Sequence, residues 1–289
     1  KHGNHWIVPD PHTDHAGTFG PARHATPQQA QEIRTFFASL PIALERADLR
    51  VVHACWNSSD VAACRAATGP LMDAYRAFDA IGIESPKGRR LHEAHRAEHA
   101  ANHDWLKDLD HRPPFLHAMA EYDEFYQNSN PIRVLTSGIE YTARVPFLAA
   151  GKWRFVERVP WWKHYDDTPV VFGHYWRWPT PDAGLRYGKY AYDLFEGRAA
   201  HEWLGPRNSA YCLDFSIGAR YAERLGFPGE PFVSRLGAVR WPEREVIFDD
   251  VRVDASMMVG VENNAFKQIM RQMEHERSEE HTSELQSHL

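Results

Sequence analysis

Apolar positions in the first third of the chain change their spacing twice. Thr26-Pro27 offers a helix start, an N-cap hydroxyl followed by proline at the first helical position. Ile33, Phe36, Phe37 and Leu40 then recur at helical spacing until Pro41 stops the run. Two short apolar runs follow, Ile42–Leu44 and Leu49–Val52, parted by the polar Glu45-Arg46-Ala47-Asp48, which is a hairpin pattern. From residue 59 to 125 the pattern turns helical, with Leu71, Tyr75 and Phe78, and later Leu106 and Leu109, spaced for amphipathic faces. Strand-like runs return at Trp153–Val159, Pro169–Phe172, Ala210–Ile217 and Leu236–Trp241, and a last one, Glu245–Phe248, follows a turn at Pro242. Residues 1–26, rich in His, Pro, Gly and Asp, read as loop. Strands, then helices, then strands again predict an α/β layered domain with a helical insert at about 59–125.

Composition narrows the classes. With 43% hydrophobic and 12% aromatic residues the chain has the material for a substantial core. A formal charge of -6 without any basic run argues against binding nucleic acid by neutralising its phosphates. Three cysteines, Cys55, Cys64 and Cys212, with no CxxC, indicate neither a disulfide framework nor a zinc knuckle. No apolar run approaches the ~20 residues that span a bilayer. The expectation is a cytoplasmic protein with no membrane and no nucleic-acid partner.

Both ends read as unnatural. The chain opens at Lys1 inside a polar segment, and the stretch from Arg277 to Ser287 resembles the in-frame translation of a sequencing adapter. Residues 277–289 are therefore set apart from the fold, leaving 1–276 as the domain.

Candidate chemistry rests on two histidines. His53 closes the apolar run Leu49-Arg50-Val51-Val52, and His174 closes Pro169-Val170-Val171-Phe172 after Gly173. A buried strand that ends in histidine puts an imidazole at the carboxyl edge of a sheet, where open α/β folds bind ligands. The glycine would leave room for a close approach. Two imidazoles on neighbouring strand ends suit one metal ion. Among 18 histidines, a pair of ordinary hydrogen-bonded side chains is the other reading of the same spacing.

Leu49-Arg50-Val51-Val52-His53-Ala54 resembles the strand-His-(Gly/Ala) motif of the phosphoprotein-phosphatase branch of calcineurin-like metallophosphoesterases, and Val170-Val171-Phe172-Gly173-His174 resembles that branch's Gly-His motif. The intervening order is similar too: helix, Leu40-Pro41, hairpin, first His, helical insert, second His. A strand with an acidic residue, Ala210-Tyr211-Cys212-Leu213-Asp214, and paired terminal strands follow. The likeness spans roughly residues 27–250. It implies a calcineurin-like αββα sandwich, here incomplete at its N-terminus. It further implies a pair of divalent or trivalent metal ions (Mn, Fe or Zn), with His53 and His174 as ligands of the second. The implied activity is hydrolysis of phosphate monoesters or phosphoanhydrides, with a phosphorylated small molecule, a nucleotide or a phosphoprotein as substrate. The alternative is a non-catalytic interaction domain that keeps the fold.

The resemblance places the family's Asp-x-His and Gly-Asp-x-x-Asp segments N-terminal to everything here, and no Gly-Asp-x-x-Asp occurs in residues 1–52. Gly3-Asn4-His5-Trp6 looks like the family's Gly-Asn-His-Glu, but only Lys1-His2 precede it and Trp6 replaces the acid, so Asn4 and His5 are left unassigned. Arg177, in Gly-His-Tyr-Trp-Arg, is the candidate for clamping substrate phosphate. His92, His95, His99 and His103 share a helical stripe, but Glu93, Arg96 and Glu98 between them indicate a solvated face. His12 and His15 with Asp10 and Asp14 read as a loose loop cluster. Trp161, Trp162, Trp176 and Trp178 read as core rather than as a base-stacking platform.

Overall fold

A computed structural model of the chain describes residues 25–149, 151–180 and 194–248. Asn4, His5, the His12–His15 cluster and residues 277–289 lie outside the described residues. The chain divides into two units, Lys1–Leu40 with Asp250–Leu289, and Pro41–Asp249.

In the first unit the described element is helix α1 (Pro27–Ser39). Its start is the expected one. The Thr26 hydroxyl accepts from the Gln29 amide, the Gln29 side chain accepts from the Thr26 amide, and Pro27 opens the first turn.

The second unit is a mixed α/β structure. Strands β1 (Ala43–Glu45) and β2 (Arg50–Val52) form the expected hairpin. The helical stretch then runs well beyond residue 125: α2 (Ser58–Ala66), α3 (Leu71–Ile81), α4 (Pro86–Ala101), α5 (His103–Lys107), α6 (His117–Asn128) and α7 (Pro131–Ser137). Asn130-Pro131 repeats the start signal of α1, with the Asn130 side chain accepting from the Ile132 amide. The hairpin β3 (Glu140–Ala149) and β4 (Lys152–Arg158) follows, then β5 (Val170–Phe172), β6 (Ala210–Cys212), α8 (Arg220–Gly226), β7 (Gly237–Arg240) and β8 (Glu245–Phe248).

The central sheet has the order β1-β2-β5-β6, with β2, β5 and β6 parallel. Its register aligns Val52 with Phe172 and Phe172 with Cys212, so the three parallel strands end level. Alternation sends successive side chains to opposite faces. Val170, Phe172, Ala210 and Cys212 join one core cluster with Trp161, Trp162, Tyr175 and Leu135, while Val171 and Tyr211 join a second with Trp203 and Phe215. Val239, Trp241, Val246 and Phe248 pack on that second cluster. A sheet covered on both faces explains why β5 and β6 are continuous apolar runs, as parallel strands usually are. Ala210–Ile217 is not one long strand: it bends out after Cys212, and Ile217–Ala219 forms a 3-10 turn.

α6 links the helices to the β3–β4 hairpin. Leu116, Met119 and Ala120 pack with Phe155, and Glu98 of α4 accepts from the Met119 amide at 2.7 Å, capping a helix that lacks a cap of its own. The Asn128 side chain donates to the Glu140 carbonyl and accepts from its amide, standing in for one rung of a strand.

Asp60, in the first turn of α2, gives a pH prediction. Burial lifts its carboxyl from 3.8 to about 6. The folded state therefore holds that proton more tightly than the unfolded chain, and stability falls as pH rises through the window from 3.8 to about 6. Asp60→Asn should flatten the Tm-versus-pH curve in that window and raise Tm above it. An unchanged curve across this range would refute the desolvation account.

Candidate metal centre

The carboxyl edge of β2, β5 and β6 gathers the residues that sequence points to. His53 follows β2 directly, and His174 stands two residues beyond the end of β5. The level register brings them together, with ring centroids 5.3 Å apart at 55° to each other. The loops are tied by their backbones: the Gly173 amide donates to the His53 carbonyl at 2.9 Å, and the Leu213 amide donates to the Phe172 carbonyl at 2.7 Å.

This edge is strained. His174 has φ 70, Trp176 φ 50 and Ser216 φ 54, the left-handed region that non-glycine residues seldom enter. Such conformations cost about 1–3 kcal/mol each and cluster at ligand sites. Neither imidazole has a hydrogen-bond partner among the described residues. His53 is exposed and His174 half-buried. Burial first, then Arg158 and His53, hold the His174 imidazole down at about 4, so it is neutral and its lone pair free at physiological pH.

These observations fit metal ligation by two donors. The half-buried, neutral His174 imidazole lies beside the exposed His53 ring where a third parallel strand brings Asp214 alongside. Among the described residues no three His, Cys, Asp or Glu side chains are grouped as a metal shell. The Asp214 carboxylate accepts from the Ser216 amide at 2.9 Å, holding the strained turn after β6.

Two expectations change. A methyl on Gly173 would meet Asp214 Cβ and the His53 carbonyl oxygen at 3.5 Å, ordinary contact, so the glycine is not required for space. Arg177 is 1% exposed, stacks its guanidinium on Phe195 and Tyr211, and donates to the carbonyls of Ala199 and Glu202. It ties down the chain around 199–202, so its guanidinium is buried rather than open to solvent as a phosphate clamp would be. The reason is local: Tyr175 turns inward at 3% exposure, Trp176 outward at 46%, and Arg177 inward again.

The cation that does sit at the pair is Arg158, the last residue of β4, whose Nη1 donates to the His174 carbonyl at 3.2 Å. Its guanidinium lies 5.6 Å from the Tyr175 ring centroid, and no carboxylate among the described residues comes within ion-pair distance of it. A lone arginine before Pro160-Trp161-Trp162 carried no sequence signal of this role, because only the turn through those residues brings β4 to the end of β5. The tryptophans divide: Trp161 and Trp162 are buried as expected, Trp178 is half-buried, and Trp176 is exposed.

No helix among the described residues is long and apolar enough to cross a membrane. Comparison with family models, curated proteins and solved structures finds no match to the chain.

Proposed function

We propose that this chain is a metal-dependent hydrolase of phosphate monoesters or phosphoanhydrides, built on a calcineurin-like layered sandwich. The observation that carries the reading is the meeting of His53 and His174, from distant parts of the sequence, at one edge of a parallel sheet. The sheet covered on both faces supports the layered architecture.

In this reading His53 and His174 hold one ion of a pair, a role suited to neutral imidazole and to Mn, Fe or Zn. Such a pair, when bound, supplies Lewis acidity toward phosphoryl oxygens and makes a bound water more acidic. The chain's own residues do the positioning. Arg158 spends one donor on the His174 carbonyl and keeps the rest of its fork for two phosphoryl oxygens. Asp214 and the His53 carbonyl fix the loops that carry the site. The substrate is a phosphorylated small molecule, a nucleotide or a phosphoprotein.

The test is manganese-dependent turnover of p-nitrophenyl phosphate by the full-length protein. His53→Ala and His174→Ala should each remove it, by at least a hundredfold, with circular dichroism unchanged. Arg158→Lys should raise KM, because an ammonium cannot make the paired bonds of a guanidinium. Turnover that survives both histidine changes removes the assignment. A wild-type protein that binds metal through both histidines yet turns over no phosphate ester is the non-catalytic alternative.

A further inference from the structure

Outside the histidine pair, the most unsettled polar groups lie between α4 and α6. Sequence alone puts His92, His95 and His99 on a solvated face, but α6 covers the middle of the stripe. The Tyr122 ring lies 5.0 Å from both His92 and His95. His95 Nδ1 is buried and has no hydrogen-bond partner among the described residues. Its Nε2 stands 3.8 Å from Asp123 Oδ1, too long for a hydrogen bond. Asp123 accepts no hydrogen bond among the described residues, and burial raises its pKa while lowering that of His95. His95 Nδ1 has lost water without gaining a partner, and the partly exposed Asp123 carboxylate beside that ring holds no hydrogen bond among the described residues; in a native structure a buried orphan of this kind calls for an explanation such as a missing ion.

A cation between them would serve both. A tetrahedral first-row divalent ion sits ~2.0–2.2 Å from nitrogen and oxygen donors, so two ligands of one ion stand roughly 3.3–3.6 Å apart. The 3.8 Å gap is a few tenths of an ångström wider, a difference that a small turn of either side chain closes. One turn along α4, His99 lies with its ring centroid 6.2 Å from His95 and nearly parallel to it, at 20°. It is exposed and free to rotate, which is why these residues do not form a three-donor group as they stand. The competing charges nearby are committed: Glu98 accepts from the Met119 amide, and Arg154 pairs with Glu140 at 3.5 Å. We infer that His95 and Asp123, completed by His99, take a divalent transition-metal ion that pins α4 to α6. Imidazole donors favour zinc, nickel or copper over magnesium and calcium.

Calorimetric titration of the full chain with Zn²⁺ and with Ni²⁺, Mg²⁺ serving as control, tests this. The His53→Ala, His174→Ala double variant isolates the α4–α6 site, so that failure of either site leaves the other readable. In that background we expect one equivalent of Zn²⁺ bound and a higher Tm. Affinity should fall at least tenfold with His95→Gln, Asp123→Asn or the exposed His99→Ala, and stay unchanged with His92→Ala. Zinc binding that is absent, or that is indifferent to His95→Gln and His99→Ala, overturns the inference.

Discussion

Asp79→Ala should lower the stability of the Pro41–Asp249 unit by about 3 kcal/mol, the scale of a broken buried ion pair. Asp79 of α3 meets Arg133 of α7, whose side chain is 7% exposed. The same Asp79 oxygen accepts from the Asn130 side chain at 2.7 Å. Arg133 also donates to the Tyr75 hydroxyl at 2.8 Å and to the Tyr126 carbonyl, and stacks 3.8 Å from the Tyr126 ring centroid. Removing Asp79 leaves a guanidinium without its counter-charge inside this aromatic cage. The pair itself is a different quantity from the cost of halving it. Asp79→Leu with Arg133→Met should be less damaging than Asp79→Ala alone, since two apolar groups need no solvation. Urea unfolding of the three proteins decides the matter: a single-variant loss below 1 kcal/mol, or a double variant worse than the single, would contradict it.

Gly138→Ala should cost about 2–5 kcal/mol and disturb the histidine edge at the same time. Gly138 closes α7 at φ 85, ψ -179, a conformation essentially confined to glycine. A Cβ there would lie 2.0 Å from the Tyr175 hydroxyl oxygen and 2.9 Å from its ring carbon. Tyr175 is 3% exposed and boxed by Trp162 at 4.9 Å and Phe172 at 5.8 Å, so it has little room to retreat. Because Tyr175 adjoins His174, the strain passes to the imidazole. Tyr175→Phe should restore part of the lost Tm, and alone it should be nearly neutral, because its buried hydroxyl has no partner among the described residues. The clash account fails if the phenylalanine change restores nothing.

Legibility in the sequence tracked how local each signal was. The α1 start, the β1–β2 hairpin and the ends of β2 and β5 were readable because cap, turn and apolar run lie within a few residues. The His53–His174 meeting was readable for a related reason: level parallel strands turn two strand ends into neighbours. Strand β3 was not readable. Pro146 interrupts it, its register shifts between Thr142 and Phe147, and Val145, Phe147 and Leu148 face outward, so no alternation survives. Asn130-Pro131 carried a usable helix start that extends the insert to Ser137. The burial of Arg177 was not readable, because the direction of each side chain after His174 follows from a strained local turn that carries no sequence pattern. Nor was the wall that His95 gains from α6.

The pairing of β2 with β5 also bears on how the molecule is made. All residues from Ala54 to Pro169 lie within the loop that closes when Val170 comes to lie beside Arg50. Closing so long a loop is entropically unfavourable and gains little until the last strands dock. The two imidazoles therefore meet only when that long loop has closed.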